Sequence, residues 1–154
     1  MAAGKERKMV SSSAPLKYYV KSGAQRLVTP NEGDSGIDLK AAADTTLFPG
    51  EQRIIPTGVV VEIPCGNVGL IKDRSSMAMR QIYVHAGVID ASFRGAISVL
   101  LQNSGQTPYH IEAGDRIAQM LVMPITPCHI VEVCDESKLS PSKRGEGAFG
   151  STGK

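Results

Sequence analysis

The chain has no apolar run near the roughly 18 residues that a membrane helix needs, and no hydrophobic signal segment follows Met1. A soluble protein with no membrane partner is expected. Excess charge is also scarce: 17 Lys and Arg against 15 Asp and Glu leave a formal +2, too little to select nucleic acid as a partner. The basic run Lys5-Glu-Arg-Lys8 reads as a short solvated patch. Cysteine is confined to Cys65, Cys128 and Cys134, an odd number without C-x-x-C spacing, which argues against a disulfide framework and a zinc site. A reducing, intracellular setting follows, cytoplasmic, nuclear or both. His85, His110 and His129 are scattered, and neither H-E-x-x-H nor G-x-S-x-G occurs, so zinc-hydrolase and α/β-hydrolase chemistry has no support.

Helical periodicity is nearly missing between Leu27 and Val133. Short aliphatic and β-branched runs, broken by Gly, Pro, Asn and Asp, predict strands at Gly36–Ala42, Gln52–Ile55, Gly58–Ile63, Val68–Lys72, Ile82–Ala86, Ala96–Gln102, Tyr109–Ile111, Ile117–Pro124 and Ile130–Val133. An all-β sandwich, jelly roll or barrel is the matching architecture. One helix of about two turns is expected near Ser75–Gln81, capped by Ser75 or Ser76. A length of 154 residues suits one domain. Residues 1–22 read as a flexible N-terminal arm, 23–134 as the β domain and 135–154 as a C-terminal arm.

What is present in quantity is glycine, above all in the last eleven residues, Arg144-Gly-Glu-Gly-Ala-Phe-Gly-Ser-Thr-Gly-Lys154. Glycines let the backbone lie against a ligand, Arg144 and the Ser151 and Thr152 hydroxyls suit phosphate oxygens, and Phe149 offers a flat face to a base. The run also satisfies G-x-G-x-x-G, but a dinucleotide fingerprint needs a helix after it and an acidic residue about twenty positions on, and only four residues remain. Elsewhere, Asp90 suits either a turn aspartate bonded to its own backbone or a general base at the end of a strand. Arg74, Ser75 and Gln119 suit either ordinary surface, cap and strand roles or donation to phosphates. Asp115 and Arg116 read as a pair pinning a turn. Asp38 fits an orienting partner of Arg74, a water-binding group or a strand-end acceptor.

Five segments stand out when taken in order: Asp34-Ser-Gly-Ile-Asp-Leu39, Asp73-Arg-Ser-Ser-Met-Ala78, Gly87-Val-Ile-Asp-Ala-Ser-Phe-Arg-Gly95, Gly114-Asp-Arg-Ile-Ala-Gln-Met-Leu121 and Arg144-Gly-Glu-Gly-Ala-Phe-Gly-Ser-Thr-Gly153. Over roughly residues 33–153 the chain resembles the trimeric dUTPase family. The resemblance implies a jelly-roll-like β barrel with a flexible C-terminal arm, assembled as a homotrimer with sites at subunit interfaces. It implies hydrolysis of dUTP to dUMP and pyrophosphate by water attack on the α-phosphate, which limits uracil incorporation into DNA and supplies dUMP for thymidylate synthesis.

The same resemblance makes Asp90 the base and sets Arg74, Ser75, Gln119 and Arg144 toward the phosphates, with Ser76 also among the substrate-binding residues although Ser76-Met77 stands where Gly-Leu is frequent. Backbone groups near Gly87 and Ser98, on the hairpin from Ile82 to Gln102, would read uracil, with Phe149 stacked over it and Gly150, Ser151 and Thr152 completing the lid. Phe93 stands where tyrosine is usual, under the deoxyribose, and keeps the ring while losing the phenol. Mg²⁺ is implied through the triphosphate and waters, with no direct protein ligand and Asp38 at most in its outer shell. Two rivals are a deaminase of the same fold, which would need a glutamate beside the base, and a catalytically silent nucleotide-gated interaction module.

Overall fold

The computed structural model describes residues 14–146. Its strands are β1 (Lys17–Val20), β2 (Ile37–Lys40), β3 (Thr45–Leu47), β4 (Gln52–Glu62), β5 (Asn67–Lys72), β6 (Ile82–His85), β7 (Val88–Asp90), β8 (Ala96–Asn103), β9 (Tyr109–Ile111) and β10 (Arg116–Pro124), with a single helical turn α1 (Ser75–Ala78) after β5. They form a sheet in the order β1-β4-β8-β6, a second in the order β2-β10-β5-β7, and a two-stranded ribbon of β3 and β9. All the ladders are antiparallel.

Alternation along the strands builds the core. β8 turns Ile97, Val99, Leu101 and Asn103 inward, and β4 does the same with Ile55, Thr57, Val59 and Val61. The apolar members belong to one cluster with Leu39 of β2, Ile71 of β5 and Ile117, Ala118 and Met120 of β10. Cutting one of the large side chains, such as Leu101, to alanine should cost about 2–5 kcal/mol. Among the described residues the two buried polar side chains are fully engaged: Thr57 Oγ1 donates to the Ile97 carbonyl at 2.8 Å, and Asn103 Nδ2 donates to the carbonyls of Leu47 and Thr107 at 2.9 and 2.8 Å.

Several expected boundaries move. β1 falls inside the stretch read as an N-terminal arm; its exposed Lys-Tyr-Tyr run carries little hydrophobic signal and is held by its ladder to β4. β3 and β7 have three residues each, too few to show a period. β4 joins two expected strands, because the Pro56–Gly58 interruption is a register shift within a continuous strand. Gly58 has φ +68°, and a Cβ there would fall 2.3 Å from that of Ala24, so glycine is required. The helix stops at Ala78, and Gln81 leaves the helical region with φ 62°. Ile130–Val133 is not a strand: Ile130 is 99% exposed and Val131 77%.

Candidate active site

A polar row stands on the outward face of the second sheet. Leu39 turns into the core, so its neighbour Asp38 turns out. Gln119 of β10 lies opposite Asp38, and Lys72 of β5 lies opposite Gln119. β10 departs from alternation, since Ile117, Ala118 and Met120 are all fully buried. Its ladder with β2 shifts between Arg116 and Ala118, and this bulge absorbs the extra inward residue. Strict alternation would send Arg116 the same way as Ala118 and Met120. The bulge lets it reach Asp38 instead.

The Asp38 carboxylate is shared. Oδ1 accepts from Arg74 Nε at 2.9 Å and Oδ2 from Arg116 Nη1 at 3.3 Å. Arg74 Nη1 also donates to the Arg116 carbonyl at 3.2 Å and to Ser76 Oγ at 3.4 Å. The Arg74 and Asp38 side chains are 23% and 32% exposed, so this pair is better shielded than an ordinary surface ion pair. Gln119 Nε2 donates to the Asp73 carbonyl at 2.8 Å, and its side chain lies on Gly36, where a Cβ would meet Gln119 Oε1 at 2.1 Å. The Asp73 carboxylate accepts from the Val84 amide, tying the β5–α1 link to β6. α1 is pinned from below by Tyr109, whose hydroxyl donates to Met77 Sδ at 3.4 Å. Its N-cap is Arg74 and no side chain caps it, so neither Ser75 nor Ser76 takes the capping role expected of them.

These groups border an open cleft of about 610 Å³, walled by Val28, Thr29, Pro30, Asn31, Asp34, Ser35, Gly36, Asp38, Arg74, Ser75, Ser76, Arg116 and Gln119. That volume lies within the usual range for small-molecule sites. Among the described residues no three His, Cys, Asp or Glu side chains converge to hold a metal. Asp38 is already committed to two guanidiniums, so a divalent ion here would draw its oxygens from a bound polyanion and water.

The other expected residues stand apart. Gly87 has φ +104°, its carbonyl accepts from the Ile71 amide at 2.8 Å, and a Cβ would fall 2.9 Å from the Ile71 oxygen, so this bend accepts only glycine. The β6–β8 ladder ends at His85 opposite Leu100, and Ser98 of β8 lies opposite Pro56 of β4. Asp90 ends β7 opposite Val68, whereas Gln119 lies opposite Lys72 at the other end of β5. Four residues of strand separate those anchor points, about 13 Å. Phe93, 41% exposed, lies over Gly95, where a Cβ would come within 2.5 Å of the ring. Its loop is self-braced by Arg94 Nη1, which donates to the carbonyls of Ala91 and Phe93 at 2.6 and 2.8 Å.

One fold therefore gathers Arg74, Ser75, Ser76, Gln119 and Asp38, and leaves Asp90 and Phe93 at the far end of the sheet. Arg144 lies in the exposed segment after the 3₁₀ turn at Glu136–Lys138 and does not line the cleft. Phe149, Gly150, Ser151 and Thr152 lie outside the described residues. The expected Asp115–Arg116 pair is not made: Asp115 Oδ2 accepts from the Glu112 amide at 2.9 Å and caps its own turn. Sequence reasoning missed Arg116 as a cleft residue, although the adjacent apolar pair Ile117-Ala118 was a sign of broken alternation.

A sequence model of the dUTPase family matches residues 24–153. The chain belongs to the dUTPase family. It is 46% identical over 129 residues to the deoxyuridine 5'-triphosphate nucleotidohydrolase of Mycolicibacterium gilvum (strain PYR-GCK), covering 80% of this chain and 84% of that one. It is 42% identical over 126 residues to the protein of that name from Anaeromyxobacter sp. (strain Fw109-5), with the same coverage. Among solved structures, the dUTPase of Staphylococcus bacteriophage 80alpha with dUPNHPP superposes with a TM-score of 0.84 at 28% identity, over 92% of this chain and 99% of that chain. The fold is thus the jelly-roll-like one of this family. A mutant dUTPase from phage phi11 of S. aureus, whose structure details the coordination of a structural Mg(II) ion, shares the fold with a TM-score of 0.74 at 24% identity, over 80% of this chain and 99% of that chain.

Proposed function

We propose that Asp90 activates the water that attacks the α-phosphate of dUTP, while Arg74, Ser75, Ser76, Gln119 and Arg144 hold the phosphate chain. Family membership carries the overall reaction: as a dUTP diphosphatase, the enzyme splits dUTP into dUMP and pyrophosphate. The observation that supports the phosphate-holding roles of Arg74, Ser75, Ser76 and Gln119 is the cleft itself, which these residues line together with Arg116. Phosphoryl transfer of this kind needs little covalent chemistry from the protein, and donors fixed before the substrate arrives supply most of what catalysis requires. Mg²⁺, when bound, would be held by triphosphate oxygens and water and would supply neutralisation of part of the phosphate charge. Uracil is read by the backbone near Gly87 and Ser98, Phe93 lies under the deoxyribose, and the lid carrying Phe149 closes over the base.

The separation of Asp90 from the cleft supports a homotrimer with shared sites. About 13 Å of strand is too far for a base that must stand within hydrogen-bond reach of its water, so one chain's Asp90 serves a neighbour's Arg74. Mixing Asp90→Asn chains with Arg74→Ala chains under exchange conditions tests this. Each parent should be nearly inactive, and random mixing should restore about one quarter of wild-type activity if the two residues come from different subunits. No restoration would place both residues in one chain's site. Chromatographic separation of products from dUTP, dCTP, dTTP and UTP tests the substrate: dUMP from dUTP alone is expected, and any conversion of dCTP would favour the deaminase.

A further inference from the structure

We propose that Arg116 is a positioning residue for Arg74, acting through the shared Asp38 carboxylate. The inference rests on the reading of the cleft as the phosphate site. Arg116 holds its neighbour in two ways. Its carbonyl accepts directly from Arg74 Nη1 at 3.2 Å, and its side chain donates at 3.3 Å to the one Asp38 oxygen that Arg74 does not use. Rotation of the carboxylate away from Arg74 Nε would break both side-chain bonds at once, so Arg116 acts as a latch on that rotation. The β10 bulge is what makes the contact available, since regular alternation would aim the side chain coreward.

Charge works in the same direction. Arg74 and Asp38 alone sum to zero and offer a polyanion nothing net. Adding Arg116 leaves the cluster at +1 while the planar fork of Arg74 stays oriented. At 57% exposure the Arg116 side chain contributes nothing to the core, so its position is hard to explain by packing.

A double-mutant cycle on the full-length protein tests the proposal. Arg116→Ala should lower kcat/KM for dUTP by roughly ten-fold, yet add less than about two-fold when Arg74 is already alanine. It should weaken binding of the imido triphosphate analogue of dUTP while sparing dUMP. Losses that multiply in the double variant, or equal weakening of both ligands, would overturn the proposal while leaving the cleft's assignment intact. Wild-type protein that turns over no dUTP would overturn the assignment and the proposal together. Should the alanine variant not fold, Arg116→Lys enters the same cycle, keeping the charge but losing the fork; full activity with lysine would show that charge alone suffices and that the latch is wrong.

Discussion

The two ends of the β2-β10-β5-β7 sheet solve different problems. At the Arg74 end, hydrogen bonds cross between elements: Arg74 to Asp38, Arg116 to Asp38 and Gln119 to Asp73 join β2, β10 and the β5–α1 link. At the Asp90 end the bonds are local: the Phe93 amide to the Asp90 carbonyl and Arg94 to its own loop. Long-range bonds fix donors against one another, which suits groups that must meet a substrate already arranged. Local bonds keep a loop's shape and leave its outward groups to a partner. On the proposed reading, one chain arranges Arg74, Ser75, Ser76 and Gln119 for the phosphates and hands its base to a neighbour.

Removing the Asp90 carboxylate should produce the largest effect. Asp90→Asn is expected to retain dUTP binding and to lose turnover by at least about 10²-fold, the usual scale for a general base. Binding and turnover measured on the same preparation check it. Near-normal turnover would erase the functional contrast between the two ends. Deleting residues 144–154 should come next, depressing turnover by about 10² and binding much less, because the arm, on the proposed reading a lid carrying Arg144, would act mainly on the chemical step. Equal losses in both would mean that the arm is a binding element belonging with the Arg74 end.

A subtler probe acts on the Phe93 loop. Gly95→Ala places a methyl against the Phe93 ring, at 2.5 Å before any relaxation, and the ring must move. If it fills the space under the deoxyribose, the preference for dUTP over UTP should fall roughly ten-fold with kcat on dUTP little changed. An unaltered ratio of kcat/KM values would separate this ring from sugar recognition.

The same contrast explains what could be read from the sequence. The Arg74 end was legible through the family motifs that hold Asp38, Arg74 and Gln119, since taken singly each of the three also suited an ordinary structural role. Their mutual geometry was not. Arg116 reaches the cleft through a bulge, and a bulge shifts which face every later residue takes without changing composition. Asp115 looked like its partner by adjacency, yet it precedes β10 and its carboxylate serves the preceding turn. β1 was hidden because an exposed edge strand buries little, whereas Ile130–Val133 was apolar enough to read as a strand and finds no ladder in one chain.

Glu51 supplies the control for both ends of the sheet, since it offers the chemistry of Asp38 away from the cleft. Its carboxylate accepts from the Phe48 amide at 2.8 Å and from Arg53 Nε at 2.7 Å, and these contacts, the backbone one first, hold its carboxyl below the ordinary range. A lowered folded-state value stabilises the fold above the unfolded-state value and loses that contribution as pH falls through the folded one. Glu51→Gln should therefore shift Tm by no more than about 2 °C at pH 7, with a difference that shrinks toward zero in acid. Turnover of dUTP should not change. Asp38→Asn, by contrast, is expected to reduce turnover; if Glu51→Gln reduced it equally, ion pairs anywhere in this fold would serve activity through stability alone. If only Asp38→Asn does so, the Arg74–Asp38–Arg116 group acts on substrate, and its wide bonding is part of the site.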